Sequence, residues 1–442
     1  MQNGLMRVAE KAKREPNGNF NNLAHHITAN LLGESLKQIP SGSGKGVDGQ
    51  SKQEAVANFA EWSAESLTAI HRRSYRPPPV RRVYIPKPGK DELRPIGVPT
   101  IIDRCIQRST AKVLESIWEQ DFLPCSYGGR PNRSALQAIS TMQRVIAEGK
   151  ISWVYEADLK NFFGSLDHSW LMKFVRHRIS DERILLLITR WLKAGVMEDG
   201  VLAVSTIGTP QGGSISVLLS NIYLHYTLDL WFEKIVKPCL EGEAYLIRYL
   251  DDFIVCFQFH RDAVRFQKAL QGRLDKFKLS LEPSKTKLME FGKFAKPDCV
   301  RKGVKPPSFV FLGFRVYGLH FPWGYYAVAS VVDGKRRCRF IDKLKESMRS
   351  MRHCSLKVQA DNINRKLQGY YNYFGIPFNS KRLRSLYNVI MEYWRLVLSS
   401  RSQSGFVDWK KYRKILANYP IKRPRILFNR EEFRAMGLKT SQ

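Results

Sequence analysis

Two short apolar runs, Ala244 to Ile247 and Phe253 to Phe257, flank the polar tip Tyr249-Leu250-Asp251-Asp252. β-favouring residues on either side of a short polar tip predict a hairpin that presents two carboxylates. A further strand is predicted over Trp153 to Ala157; it ends at Asp158 and precedes Phe162 and Phe163. Val83 to Ile85 begins another, and Phe309 to Phe314 has strand composition around Gly313. Helical spacing dominates elsewhere. Leu23 to Gln38 places Leu23, Ile27, Leu31 and Leu32 on one side, and Arg104 to Ile117 turns Ile106, Val113, Leu114 and Ile117 inward. Ser180-Asp181-Glu182 and Gly195 bracket the apolar segment Ile184 to Leu192 as start and stop signals. The helix after Gly213 carries Ile215, Leu218, Leu219, Ile222 and Tyr226 on one face. Asp262 to Lys276, Arg339 to His353, Leu356 to Tyr373 and Arg382 to Leu398 read as helices, the last with the stripe Leu383, Leu386, Tyr387, Ile390, Trp394, Val397 and Leu398. Met1 to Asn22 is polar and mixed in charge, which predicts a loosely held terminus. Pro40 to Gly46 reads as a flexible linker.

Charge changes the picture. The 442 residues are 43% hydrophobic, enough for a folded chain of two or three domains. Lys and Arg outnumber Asp and Glu 72 to 40, a formal excess of +32. Such an excess points to a polyanionic partner, because a basic surface gains free energy by releasing nucleic-acid counterions. The stretch Lys335 to Arg425 alone holds 23 Lys and Arg against 5 Asp and Glu, so over half of the excess lies in about a fifth of the chain. No apolar run approaches the roughly 20 residues of a spanning helix, and the first 20 residues are too polar for a secretory signal. No membrane partner and a cytoplasmic location are therefore expected. The seven cysteines are scattered, which suggests neither a zinc site nor a disulfide frame.

Carboxylates in a basic chain need a reason. Two of them about 4 Å apart repel by roughly 4 kcal/mol at an effective dielectric near 20. A group of three needs cations or raised pKa values, and hard divalent ions on oxygen ligands meet that need. Two such ions about 3.5 to 4 Å apart would activate a 3′ hydroxyl and steady a leaving pyrophosphate. Lys87 and Arg94 lie either side of a turn containing Gly89. They are either solvated surface charges or two cations leaning toward one pocket, where they would meet a triphosphate. Gly212 and Gly213 let backbone approach a ligand closely, and Gln211 offers both donor and acceptor. Arg130 and Arg133 flank Pro131 in a basic turn able to hold template phosphates, and Lys285 or Lys287 could reach a departing pyrophosphate.

Asp158 with Phe162 and Phe163, TPQGG at Thr209 to Gly213 and YLDD at Tyr249 to Asp252, in that order, resemble the palm of a reverse transcriptase. RRVYIPKPGKDELRPIGVPTIIDR (Arg81 to Arg104), SYGGRP (Ser126 to Pro131), AGVMEDG (Ala194 to Gly200) and GEAYLIRYLDD (Gly242 to Asp252) are similar to bacterial group II intron reverse transcriptases and maturases, and to their free-standing relatives. The resemblance implies an α+β right-hand polymerase. Residues 1–80 would form an N-terminal extension, 81–318 fingers and palm with an antiparallel palm sheet, 319–430 an all-α basic thumb and maturase region, and 431–442 a tail. It implies RNA-directed, and also DNA-directed, addition of deoxynucleotides to a primer 3′ end. Asp158, Asp251 and Asp252, with the Leu159 carbonyl, would hold two Mg²⁺ ions, Mn²⁺ being an alternative. Lys87, Arg94, Phe163, Gln211 and Lys285 would bind the deoxynucleoside triphosphate, Phe163 by packing under the sugar where a 2′ hydroxyl would clash. Arg130, Gly212, Leu250, Phe311 and Gly313 would meet primer and template. The partners implied are an RNA template, a DNA or RNA primer, dNTPs, structured intron RNA and a second copy of the chain. Tyr370, Tyr371, Tyr373 and Trp409 would flank the track of a nucleic-acid backbone. No cysteine-paired nuclease block is present, so DNA cleavage is not expected.

Several positions depart from the commonest family pattern: Leu250 stands for Ala, Gly164 for Asp, Gly129 for Phe, Asn132 for Gly and Val217 for Pro. The three carboxylates remain, so the changes read as retuning, and the bulk of Leu250 is expected to alter primer handling. A free-standing enzyme of host DNA repair and a non-catalytic splicing maturase are the rival readings.

Overall fold

The computed structural model describes residues 3–86, 92–198, 201–203, 213–295, 301, 303, 306–402 and 405–437. In chain order its strands are β1 (Val80–Pro86), β2 (Leu93–Val98), β3 (Trp153–Asp158), β4 (Val196–Glu198), β5 (Val201–Ala203), β6 (Ala244–Tyr249), β7 (Asp252–Phe257), β8 (Lys287–Glu290), β9 (Phe309–Phe311), β10 (Phe314–His320) and β11 (Tyr326–Val332). They form three sheets, ordered β2-β1-β4-β5, β6-β7-β3-β8 and β11-β10-β9, among many helices. The fold is thus mixed α and β.

The sheet β6-β7-β3-β8 is antiparallel throughout and sits between two cores. Successive strand residues point to opposite faces. Tyr155, Ala157, Phe253, Val255 and Phe257 therefore join the core built with the helix Ile101–Asp121 and with Phe266 and Leu270. Val154, Ile247, Ile254 and Cys256 join a second core with the helix Ala135–Glu148, the strands β9 to β11 and the C-terminal helices. Apolar residues on both faces explain why these strands read as near-continuous hydrophobic runs.

The N-terminus departs from expectation. Asn3–Arg14 is a helix, and Leu5, Val8 and Ala12 bury against Ile101–Asp121. A stripe of three apolar residues at helical spacing was enough to dock a segment whose average is polar. Arg178 secures its end by donating to the carbonyls of Ala12, Glu15 and Gly18. The 40–46 stretch is mostly exposed and is held at its end: a Cβ on Gly46 would lie 2.6 Å from Thr100 Cα, and Arg104 donates to the Gly44 carbonyl. Leu23, Ile27, Leu31 and Leu32 are all buried, but the segment divides into a 3₁₀ turn, Ala24–His26, and a helix, Ala29–Gln38, that Thr28 caps.

Two further boundaries move. The hairpin β10–β11 straddles residues 318 and 319, so the helical block starts only at Gly334. Its helices are Gly334–Ser350, Leu356–Phe374, Ser380–Ser399 and Trp409–Asn418. Asn379 fastens this block to β11, accepting from Val332 N–H at 2.8 Å and donating to the Ser330 carbonyl at 3.0 Å. The 431–442 tail begins within a helix, Arg430–Met436, whose Phe433 is buried against Ala135–Glu148. The stripe on Ser380–Ser399 is core as expected, with only Tyr387 partly exposed. Trp394 is fully buried and donates to Gln359 Oε1 at 3.0 Å. Trp394→Ala is expected to cost about 3–5 kcal/mol, read as a lower urea midpoint, through lost burial and the cavity left behind.

Candidate active site

In the β6–β7 hairpin Tyr249 pairs with Asp252, which leaves a two-residue loop, Leu250-Asp251. Two-residue loops need primed turns with a positive φ at the first loop position, and Leu250 takes φ 58 there. On the neighbouring strand Asp158 is the direct register partner of Asp252. Sheet pairing thus sets two carboxylates side by side and a third on the adjacent tip.

The electrostatics follow from that crowding. Burial, then the negative charges of Asp158, Asp251 and Glu156, push Asp252 up to about 8. Asp251 is also raised, by burial and then by Asp158, while Arg94 and Lys285 oppose the shift. Glu156 is pushed up to about 7, chiefly by burial. Lys285 donates to Asp158 Oδ2 at 2.5 Å. Burial works against the Lys285 charge, but its hydrogen bond to Asp158 and the three aspartate charges win, and its pKa is raised. Among the described residues no group of three or more His, Cys, Asp or Glu side chains is gathered as a ready metal site. The donor set nevertheless fits a hard divalent ion in kind, since it is all carboxylate oxygen held under mutual repulsion, and Lys285 supplies the positive charge that Asp158 receives in this state.

These shifts carry a pH dependence. Without metal, the folded chain keeps a proton on Asp252 that the unfolded chain has released above 3.8, so stability falls as pH rises from about 4 toward 8. The metal-free melting temperature is expected to drop across that window, and Asp252→Asn to flatten the drop. Equal slopes in the two proteins would contradict the assignment.

The other expected residues divide. Arg94 lies on β2 opposite Ile85, and its charge acts on Asp251, so the β1–β2 hairpin does bring a cation to the carboxylates. Lys87, Gln211 and Gly212 lie outside the described residues. Phe163 is half-buried in the short helix Phe162–Ser165, meeting Phe162 edge to face at 5.6 Å, and Phe162 is core. The Leu159 side chain is buried, and its backbone bridges to Leu281. At Gly213 a Cβ would sit 2.8 Å from Gln107 Oε1 and 2.9 Å from Ser216 Oγ, so the neighbours crowding this glycine are side chains of the protein itself.

Three assignments need correction. Arg130 does not face template phosphate: it is buried, grips both carboxylate oxygens of Glu119 and donates to the carbonyls of Leu123 and Ser126. Phe311 is fully buried, so its ring serves the core and cannot meet a primer. Beside it Leu312 and Gly313 form the turn between β9 and β10 at φ 50 and 81, with Tyr373 Oη donating to the Leu312 carbonyl at 2.9 Å. Tyr370 and Tyr371 are buried, which leaves Tyr373, half-buried, and Trp409, 51% exposed, as the available aromatics. Arg248, Asp229 and Asn221 carry no expectation from the sequence, yet Arg248 bonds both of the others and donates to the Leu250 carbonyl of the turn. The available signal was a lone arginine inside the apolar run of β6.

The chain belongs to the reverse transcriptase family, the RNA-dependent DNA polymerases, whose sequence pattern matches residues 85–316. It is 32% identical over 377 residues to Protein YkfC of Escherichia coli (strain K12), a match covering 76% of this chain and 94% of that protein. It is 40% identical over 159 residues to the group II intron-encoded protein LtrA of Lactococcus lactis subsp. cremoris, covering 36% of this chain and 26% of LtrA. A putative COX1/OXI3 intron 1 protein of Saccharomyces cerevisiae is 31% identical over 167 residues, 38% of this chain and 20% of that protein. Within the family it is a group II intron-like reverse transcriptase. The family works with divalent metal ions and nucleic-acid substrates. Among the described residues no helix is long and apolar enough to cross a membrane.

Proposed function

We propose that the chain copies RNA into DNA as a right-hand polymerase, with β6-β7-β3-β8 as palm, β2-β1-β4-β5 in the fingers and the helices from Gly334 onward as thumb. The register pairing of Asp158 with Asp252, beside Asp251 on the turn, carries this reading. Asp158, Asp251 and Asp252 would hold two Mg²⁺ ions, with the Leu159 carbonyl as a further oxygen. When bound, the ions lower the pKa of the primer hydroxyl and offset charge on the leaving pyrophosphate. The residues of the chain do the rest. Lys285 releases Asp158 as the site fills, and its ammonium turns to the triphosphate. Arg94 clamps phosphate oxygens in fork geometry, joined by Lys87 as a point charge. Gln211 and Phe163 shape the pocket around base and sugar, and the Gly313 turn with Leu250 meets the primer end. The basic helices between 334 and 418 track the backbone of template, primer or structured intron RNA.

The test is primer extension by the purified protein on an RNA template with Mg²⁺ and dNTPs. Extension to the template end is expected, with ribonucleotides poorly used. Tight binding of structured RNA without any extension would reject the polymerase reading in favour of a splicing cofactor.

A further inference from the structure

The guanidinium of Arg248 has every donor committed. Nε and Nη2 meet the two carboxylate oxygens of Asp229 at 2.7 and 2.6 Å. Nη2 also donates to Ser126 Oγ at 2.7 Å, and Nη1 to Asn221 Oδ1 at 3.0 Å and to the Leu250 carbonyl at 3.2 Å. Five N–H groups thus meet five acceptors, the full capacity of the side chain. Both members of the ion pair are fully buried. The acceptors come from four places: the π-helical segment His225–Asp229, the helix Ser216–Leu224, the 126–129 loop and the β6–β7 turn itself. The 126–129 loop is sewn to β6 as well, through Arg248 N–H to the Cys125 carbonyl and Tyr127 N–H to the Arg248 carbonyl, and to the helix Ser216–Leu224 through Asn221 Nδ2 to the Gly128 carbonyl.

A buried ion pair is weak evidence of a stabilising role, because apolar residues of similar volume are often as good. What apolar residues cannot do is fix the Leu250 carbonyl. Leu250 holds a left-handed conformation that a branched side chain disfavours, so its peptide must be held by its surroundings. Gly128 and Gly129 make the seat beneath it: a Cβ on Gly128 would lie 2.6 Å from Leu250 N, and one on Gly129 3.3 Å from Leu250 Cδ2 and 2.2 Å from Val217 Cγ1. Three of the departures noted above, Leu250, Gly129 and Val217, therefore pack as one unit.

We propose that Arg248 is the positioning residue of the active site: its fork, anchored on Asp229 and Asn221, fixes the turn peptide that aims Asp251 and Asp252. The proposal rests on the reading of those aspartates as metal ligands. The decisive variant is the full chain carrying Arg248→Met with Asp229→Leu, which removes both charges together. It is expected to unfold near the wild-type temperature and to bind primer–template within about twofold. Mn²⁺ binding, read by electron paramagnetic resonance, and turnover are each expected to weaken by roughly 10- to 100-fold, the usual effect of losing a partner that orients metal ligands. Arg248→Lys keeps the charge beside Asp229 but cannot fork to the other acceptors, and it carries the same expectation should the apolar pair not fold. Mn²⁺ binding and turnover within twofold of wild type, in whichever of these variants is folded, would overturn the proposal. An Asp251→Ala protein that kept Mn²⁺ binding and extension would instead remove the reading of the site beneath it.

Discussion

Asp251→Ala is expected to reduce primer extension by roughly a thousandfold or more while leaving nucleic-acid binding within about twofold. The several kcal/mol of charge stabilisation that bound metal supplies converts to about three powers of ten in rate. The fold should survive, because Asp251 occupies the loop and makes no ladder pair with β3 or β7. Binding should survive because over half of the excess positive charge lies in the helical block, later in the chain than Asp251. Removing one carboxylate from a crowded set should even relieve strain, since Asp158 raises the pKa of Asp251. Single-turnover extension and filter binding, measured side by side, separate the two effects. Extension within tenfold of wild type would show that the metal-holding carboxylates lie elsewhere.

Gly128→Ala is expected to be nearly as damaging by a different route. The added Cβ would meet Leu250 N at 2.6 Å and the carbonyl carbon of Tyr249 at 2.9 Å. Those are backbone atoms at the entry to the Leu250-Asp251 turn, so no rotamer change relieves the contact, and the turn itself must shift. Overpacking of this kind costs about 1–3 kcal/mol in stability. The larger effect falls on turnover, because misplacing reacting groups by about 1 Å costs roughly a hundredfold. Gly369→Ala is the control: it sits exposed within the helix Leu356–Phe374, with nothing within 4 Å of its Cβ. It should stabilise the protein by about 1 kcal/mol without touching catalysis. Full activity in Gly128→Ala would mean that the turn tolerates displacement.

Where the pattern of neighbouring residues is strong, it was enough for the local element and for the ordered chemistry. The runs on either side of Tyr249-Leu250-Asp251-Asp252 gave the hairpin, since alternation and composition are properties of neighbours. The stripe from Leu383 to Leu398 gave a buried helix face for the same reason, and the order of Asp158, TPQGG and YLDD gave the family. What the isolated charges and aromatics do depended on long-range packing. Arg130 and Arg94 are both arginines beside turns, yet one is spent on Glu119 and the other acts on Asp251. Phe311 and Tyr371 are as aromatic as Trp409, but two lie in the core and one faces water. Arg248 and Asp229 are 19 residues apart, and nothing in either local pattern pairs them. A long side chain takes its partner from whichever element folds against it, and that choice depends on the packing of the whole chain. Periodicity reports which face a residue occupies; the long-range contacts decide what waits on that face.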